Sequence, residues 1–141
     1  MPNPPDDEVK KILETYRNIA VIGLSPQAGR PSHGVTRYMI QQGYNIVGVR
    51  PGGIKEVLGR PMYETLADVK EDFEIVDVFR SAEFIPETVD EVLKTKAKVL
   101  WLQEGITHPE AEERARKAGL TVISDRCILK DHIRLLRRLS R

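Results

Sequence analysis

Five short apolar runs recur along the chain: Ile19–Gly23, Ile46–Val49, Ile75–Phe79, Val99–Leu102 and Leu120–Ile123. They are rich in β-branched residues and lack the polar alternation of a strand with one wet face. That is the pattern of strands covered on both sides, as in a parallel sheet. Between them lie longer stretches with helical spacing: Ser32 to Gln42, Glu83 to Lys96, Pro109 to Lys117 and Ile128 to Leu139. Thr107 with Glu110 three residues on reads as a capping box for the third of these. A further helix is expected from Asp6, as N-cap, to Tyr16, with Val9, Ile12, Leu13 and Tyr16 on one face. Gly52 to Asp68 is the least regular stretch, with room for a short helix over Tyr63 to Val69. Short strands alternating with helices predict an α/β fold: a doubly wound, mainly parallel five-stranded sheet with helices on both faces.

Length and charge narrow the rest. A chain of 141 residues is one domain, long enough to bury roughly 68–70% of its unfolded surface. Lys and Arg number 22 against 21 Asp and Glu, a net charge of +1, which argues against nucleic acid as the main partner. The single cysteine excludes an internal disulfide framework and a multi-cysteine zinc site. Met1-Pro2-Asn3-Pro4-Pro5 has no apolar stretch of the signal-peptide kind, and no run approaches the roughly 18 apolar residues of a spanning helix. The expectation is one cytoplasmic domain over residues 1–141 with a flexible start over 1–5. No membrane or nucleic-acid partner is expected, and oligomerisation is left open.

In a doubly wound sheet, ligands bind beyond the carboxyl ends of the strands, where strand order reverses. The loops there carry the candidate site. After the first strand comes Gly23-Leu24-Ser25-Pro26-Gln27-Ala28-Gly29-Arg30-Pro31-Ser32. Gly23 lets a backbone come close to a phosphate, Ser25 and Ser32 offer hydroxyls, and Arg30 supplies a charged fork beside a helix N-terminus. The plainer alternative is a strand-to-helix turn with Ser32 as N-cap. The segment is neither G-x-G-x-x-G, nor a P-loop, nor a nucleophile elbow. After the second strand, Arg50-Pro51 stands where a NAD-binding fold usually has an acid; a cation there suits a ribose phosphate, as in NADP or coenzyme A. Phe79-Arg80 follows the third strand and Leu102-Gln103-Glu104-Gly105 the fourth. Cys127 follows the fifth and is expected at the crevice edge.

Other residues are less pointed. His33, His108 and His132 have no metal-ligand spacing, so no metal is expected, and surface or capping roles fit them better. No nucleophile–base pair stands out. The last helix carries Lys130, Arg134, Arg137, Arg138 and Arg141, a solvated basic face or a patch for a macromolecular partner.

Taken in order, Ile22-Gly-Leu-Ser-Pro26, Arg30-Pro-Ser32, Arg50-Pro51, Leu58-Gly-Arg-Pro-Met-Tyr63, Asp77-Val-Phe-Arg80, Trp101-Leu-Gln-Glu-Gly105 and Ser124-Asp-Arg-Cys127 resemble the CoA-binding domain family. That domain also forms the N-terminal part of the succinyl-CoA synthetase alpha subunit. The resemblance implies a Rossmann-like fold holding coenzyme A or an acyl-CoA. It places Ser25 to Ala28 on the synthetase's first coenzyme-contacting stretch and Leu102-Gln103-Glu104 on its later one. The synthetase's coenzyme-binding lysine falls at Gly53, with Arg50 or Lys55 as the cation on that side. Its phosphohistidine lies in a second domain that the resemblance does not cover, so a binding protein without ligase activity of its own is implied. The residues themselves leave two alternatives: an NADP-binding module of an oxidoreductase, and an interaction module for protein or nucleic acid built on the basic last helix.

Overall fold

A computed structural model describes residues 3–137. The five apolar runs become β1 (Asn18–Ile22), β2 (Asn45–Val49), β5 (Ile75–Val78), β6 (Val99–Leu102) and β7 (Thr121–Ile123). The helices are α1 (Asp6–Thr15), α2 (Pro31–Gln41), α3 (Ile85–Leu93), α4 (Pro109–Lys117) and α5 (Ile128–Leu135). Leu139, expected at the end of the last helix, and the cations Arg138 and Arg141 lie outside the described residues.

The sheet has seven strands, not five. The two additions, β3 (Glu56–Val57) and β4 (Arg60–Tyr63), lie inside the stretch that reads as irregular. They form a hairpin through Leu58 and Gly59, both at positive φ (55° and 75°), the geometry of a primed two-residue turn. Neither strand carries a β-branched run. Pro61 cannot donate to a ladder, and the register fits because β4 pairs with β2 only through Met62 and Tyr63. The expected helix over Tyr63 to Val69 shrinks to one 3-10 turn at Leu66–Asp68, closed by a Thr65–Asp68 capping box.

Strand order is β3-β4-β2-β1-β5-β6-β7, parallel throughout except for β3. β1 is the pivot: the chain adds β2 and β4 on one side of it, then returns to add β5, β6 and β7 on the other. The reversal point therefore lies between β1 and β5.

Side-chain alternation divides the core in two. Helices α1, α2 and α5 cover one face, with Val9, Leu13, Met39, Trp101 and Ile128 packed together. Helices α3 and α4 cover the other, with Ile85, Val89, Val92, Ala111 and Ala115. The helix starts differ in detail from the sequence expectation. Asp6 is in the first turn of α1, whose N-cap is Pro5, and its carboxylate pairs with Arg134 at 2.6 Å, tying α1 to α5. His108, not Thr107, caps α4: its Nδ1 accepts from Ala111 N at 3.2 Å, and Glu112 accepts from His108 N at 2.7 Å. Near the N-terminus, the Asn3 side chain makes two hydrogen bonds with the main chain of Ser124, at 2.9 and 2.8 Å.

Packing is tight where β2 meets β4. A Cβ added to Gly48 would overlap Met62 Sδ and stand 2.9 Å from Leu24 Cδ2. Gly48→Val should therefore overpack this layer and cost about 1–3 kcal/mol. A chain of this size should lose roughly 2–4 °C in Tm for each kcal/mol, readable by thermal denaturation.

Candidate functional site

The carboxyl ends of β1, β2, β5 and β6 open into one crevice with two lobes. The first, about 710 Å³, lies between the β1–α2 loop, the ends of β5 and β6, and the start of α5. The second, about 580 Å³, runs over β2 toward the 3-10 turn and α3. Gly23, Arg50, Phe79, Arg80 and Ser81 line both. These volumes suit a small molecule or cofactor.

The site is built on Gly23, at φ +87°. Its N–H donates to Val49 O at 2.8 Å, and Phe79 N–H donates to Ile22 O at 2.9 Å, so β1 is stitched to both neighbours up to its last residue. An added Cβ at Gly23 would overlap the Phe79 carbonyl oxygen and come within 3.1 Å of its carbon. The glycine thus permits close approach of two protein backbones. Gly23→Val would damage the sheet as well as the crevice, so it cannot report on ligand approach alone.

The next turn organises itself. Ser25 N donates to Ser32 Oγ at 2.9 Å, Gln27 N to Ser25 Oγ at 3.0 Å, and Arg30 N to Gln27 O at 3.1 Å. Ser32 thus closes the loop across α2's first turn, and Arg30 is the N-cap residue with no side-chain cap bond. Gly23, Ser25, Arg30, Ser32, Arg50, Phe79, Arg80, Gln103 and Glu104 come together on the crevice wall, as does Cys127. Pro51 lines the second lobe. Pro26, Gln27 and Ala28 sit exposed on the outer turn of the loop, and Leu102 is fully buried in the core. Gly105 lies just past the wall, its N–H donating to Asp125 Oδ1 at 2.7 Å. Lys55 is not on the wall, and the N–H of Gly53 is bonded to Glu64 at 2.6 Å.

The cations of the site differ in how they are held. Arg80 is engaged by Thr88 at 3.1 Å and by Glu87 and Glu91 at 3.6 and 3.8 Å, and it lies over the Phe84 ring. Lys130, a wall residue the sequence did not single out for this role, is paired with Glu104 at 3.0 Å. Among the described residues Arg30 and Arg50 make no ion pair; Arg50 Nη1 makes one long contact, 3.4 Å, with Gly23 O. On α5, Lys130 and Arg134 are both ion-paired within the molecule, which reduces the charge that helix offers a macromolecular partner.

Below the first lobe lies the one polar residue of β5. Asp77 is 2% exposed, between Val21 of β1 and Trp101 of β6, and its Oδ1 accepts from Gln103 Nε2 at 2.5 Å. Burial pushes its pKa up to about 7 against the opposing effect of that hydrogen bond. The signal was legible: one acid inside an otherwise apolar strand. Burial also raises the Cys127 thiol, which keeps it protonated and weakly nucleophilic.

Comparison with known proteins fits this architecture. Residues 17–133 match the CoA binding domain family, and the chain belongs to it. It is 40% identical over 132 residues to an uncharacterised Bacillus subtilis protein, YneT, covering 94% of this chain and 97% of that one. A hypothetical protein from Pyrococcus horikoshii superposes with a TM-score of 0.91 at 35% identity over 96% of each chain. A dinucleotide-forming acetyl-coenzyme A synthetase from Ca. Korarchaeum cryptofilum shares the fold over 77% of this chain and 26% of its own, with a TM-score of 0.67 at 19% identity.

Asp77 has a consequence for stability. The native carboxyl keeps its proton up to about pH 7, whereas an unfolded aspartate loses it near 3.8. The native state binds more protons between those values, so stability should fall as pH rises through that window, by up to about 4 kcal/mol. Asp77→Asn should be more stable than the parent at pH 8, with the gap narrowing at pH 5.5, in denaturant titrations at the two pH values.

Proposed function

We propose that the protein binds coenzyme A or an acyl-CoA in this crevice and does not by itself ligate CoA to an acid. The observation that carries the reading is the convergence of Gly23, Ser25, Arg30, Arg50 and Gln103 at the β1/β5 reversal point of a CoA binding domain. Two lobes that share Gly23, Arg50 and Phe79 suit a ligand with a charged nucleotide end and a narrow amide-bearing arm. Arg30 at the start of α2 serves the pyrophosphate, helped by the helix N-terminus. Arg50, shared by both lobes and without an ion pair among the described residues, serves the 3′-phosphate. The second lobe, floored by Phe79 and flanked by Pro51, takes the adenosine. The arm runs along the strand ends past Gln103 toward Cys127. NADP fits the same cation at Arg50, which makes it the proper competitor in any test.

Coenzyme A at about 100 times its dissociation constant should add about 2.7 kcal/mol to stability, a rise of several degrees in Tm. NADP and ATP at the same concentration should give smaller shifts; a larger NADP shift would favour the oxidoreductase module instead. A single phosphate contact identifies the orientation. Arg50→Met should weaken CoA by roughly tenfold or more, the worth of one charged hydrogen bond, and should leave dephospho-CoA nearly unchanged. Lys55→Met should affect neither. Equal losses for CoA and dephospho-CoA in the Arg50 variant, measured by calorimetry, would remove the 3′-phosphate from this arginine. Acid- and CoA-dependent phosphate release from ATP or GTP by the pure protein would overturn the absence of ligase activity.

A further inference from the structure

Gln103 is an uncharged polar wall residue whose side chain is bonded to a buried carboxyl of the sheet. It is 4% exposed and follows β6 at the mouth of the first lobe. Its nitrogen is committed to Asp77 Oδ1, and among the described residues no donor is bonded to its Oε1. A glutamine amide has two faces, a donor and an acceptor, and the group beneath it decides which is turned outward. An ionised carboxylate accepts only, so it holds the nitrogen down and leaves the oxygen for the crevice. A protonated carboxyl can donate to that oxygen, and a half-turn about the terminal amide torsion then presents the N–H₂ group.

We propose that Asp77 is a positioning residue for ligand recognition: by its own protonation state it sets whether Gln103 offers the crevice an acceptor or a donor. The inference rests on the coenzyme reading for its ligand, an arm carrying amide N–H groups, which the acceptor form would hold. The only atom transferred is a proton, taken by Asp77 from water on acidification and returned on the way back.

The surroundings leave Asp77 able to titrate. Its in-register neighbours, Val21 and Trp101, are apolar. On the same side of the sheet the buried titratable groups among the described residues are His33 of α2, Tyr44 before β2, whose hydroxyl donates to Leu13 O, Cys127 ahead of α5, and Asp131 and His132 within α5. Asp131 is held by Arg126 at 2.9 Å and Arg134 at 3.2 Å, and His132 Nδ1 is bonded to Tyr38 at 2.8 Å. The Asp77 carboxylate adds to burial in raising the Cys127 thiol, so charge on either disfavours charge on the other. Glu104, above, is paired with Lys130. Among the described residues no cation counters the burial of Asp77; burial and the Gln103 bond set its proton affinity near neutrality.

The test uses the whole protein and two readouts. In the free protein, the Gln103 side-chain amide resonances, assigned by ¹⁵N labelling, should move with a midpoint near pH 7 and stay still in Asp77→Asn. Coenzyme A affinity by calorimetry should weaken between pH 8 and pH 6 by about three- to tenfold more in the parent than in Asp77→Asn, because only the ionised fraction is competent. Taking the difference between proteins cancels the coenzyme's own titration. Gln103→Met, which keeps the carboxyl and removes the amide, should lose the same extra pH dependence and serves if Asp77→Asn folds poorly. A Gln103 amide that does not titrate, or that titrates equally in Asp77→Asn, overturns the proposal. Parallel affinity curves in parent and variants overturn its ligand side. If coenzyme A fails to bind the parent at any pH, the coenzyme reading falls, and the amide titration alone decides whether Asp77 controls Gln103.

Discussion

At Gly23 two backbones meet with no side chain between them. β1 delivers its last hydrogen bonds to β2 on one side and β5 on the other, and only a residue without Cβ fits against the Phe79 carbonyl. That contact sets the distance between the loops after β1 and β5, and hence the floor of the crevice both lobes share. The positive φ at the same residue turns the chain off the sheet toward Ser25 and α2. A larger residue there would have to move β5, and the Arg80 and Phe79 positions would move with it.

On this floor the protein places cations with unequal ties. Arg80 and Lys130 come with their own carboxylates, at distances and exposures where an ion pair is worth little and an anionic ligand can displace it. Arg30 and Arg50 stand at the mouth and the centre of the crevice without such competition among the described residues. The arrangement keeps net charge near zero while gathering Arg30, Arg50, Arg80 and Lys130 around one crevice.

The first lobe is floored by groups that a purely apolar core would not contain. Asp77 destabilises the native state when ionised, since burial without a cation disfavours the charge. Asp77 thus costs stability at neutral pH while its hydrogen bond reaches Gln103, a wall residue of the crevice.

The sequence by itself determined the layered α/β architecture, because strands buried on both faces and helices with one apolar face can be satisfied only by stacking. It also determined that the loops after Ile22, Val49, Val78 and Leu102 would share one edge, since parallel strands all end on the same side. Two things were invisible at that level. The β3–β4 hairpin owes its existence to β2's unpaired edge rather than to its own propensity, so Arg60-Pro-Met-Tyr63 carries almost no strand signal. The division of labour among site residues was likewise decided by packing. Ser32 turns to the Ser25 N–H and Ser25 to the Gln27 N–H, Leu102 faces inward, Arg80 meets Glu87 and Glu91, and Gln103 settles on Asp77. Each of those choices depends on which groups of other segments arrive beside the side chain, and chain order along one strand holds no information about that; only the closed tertiary structure supplies it.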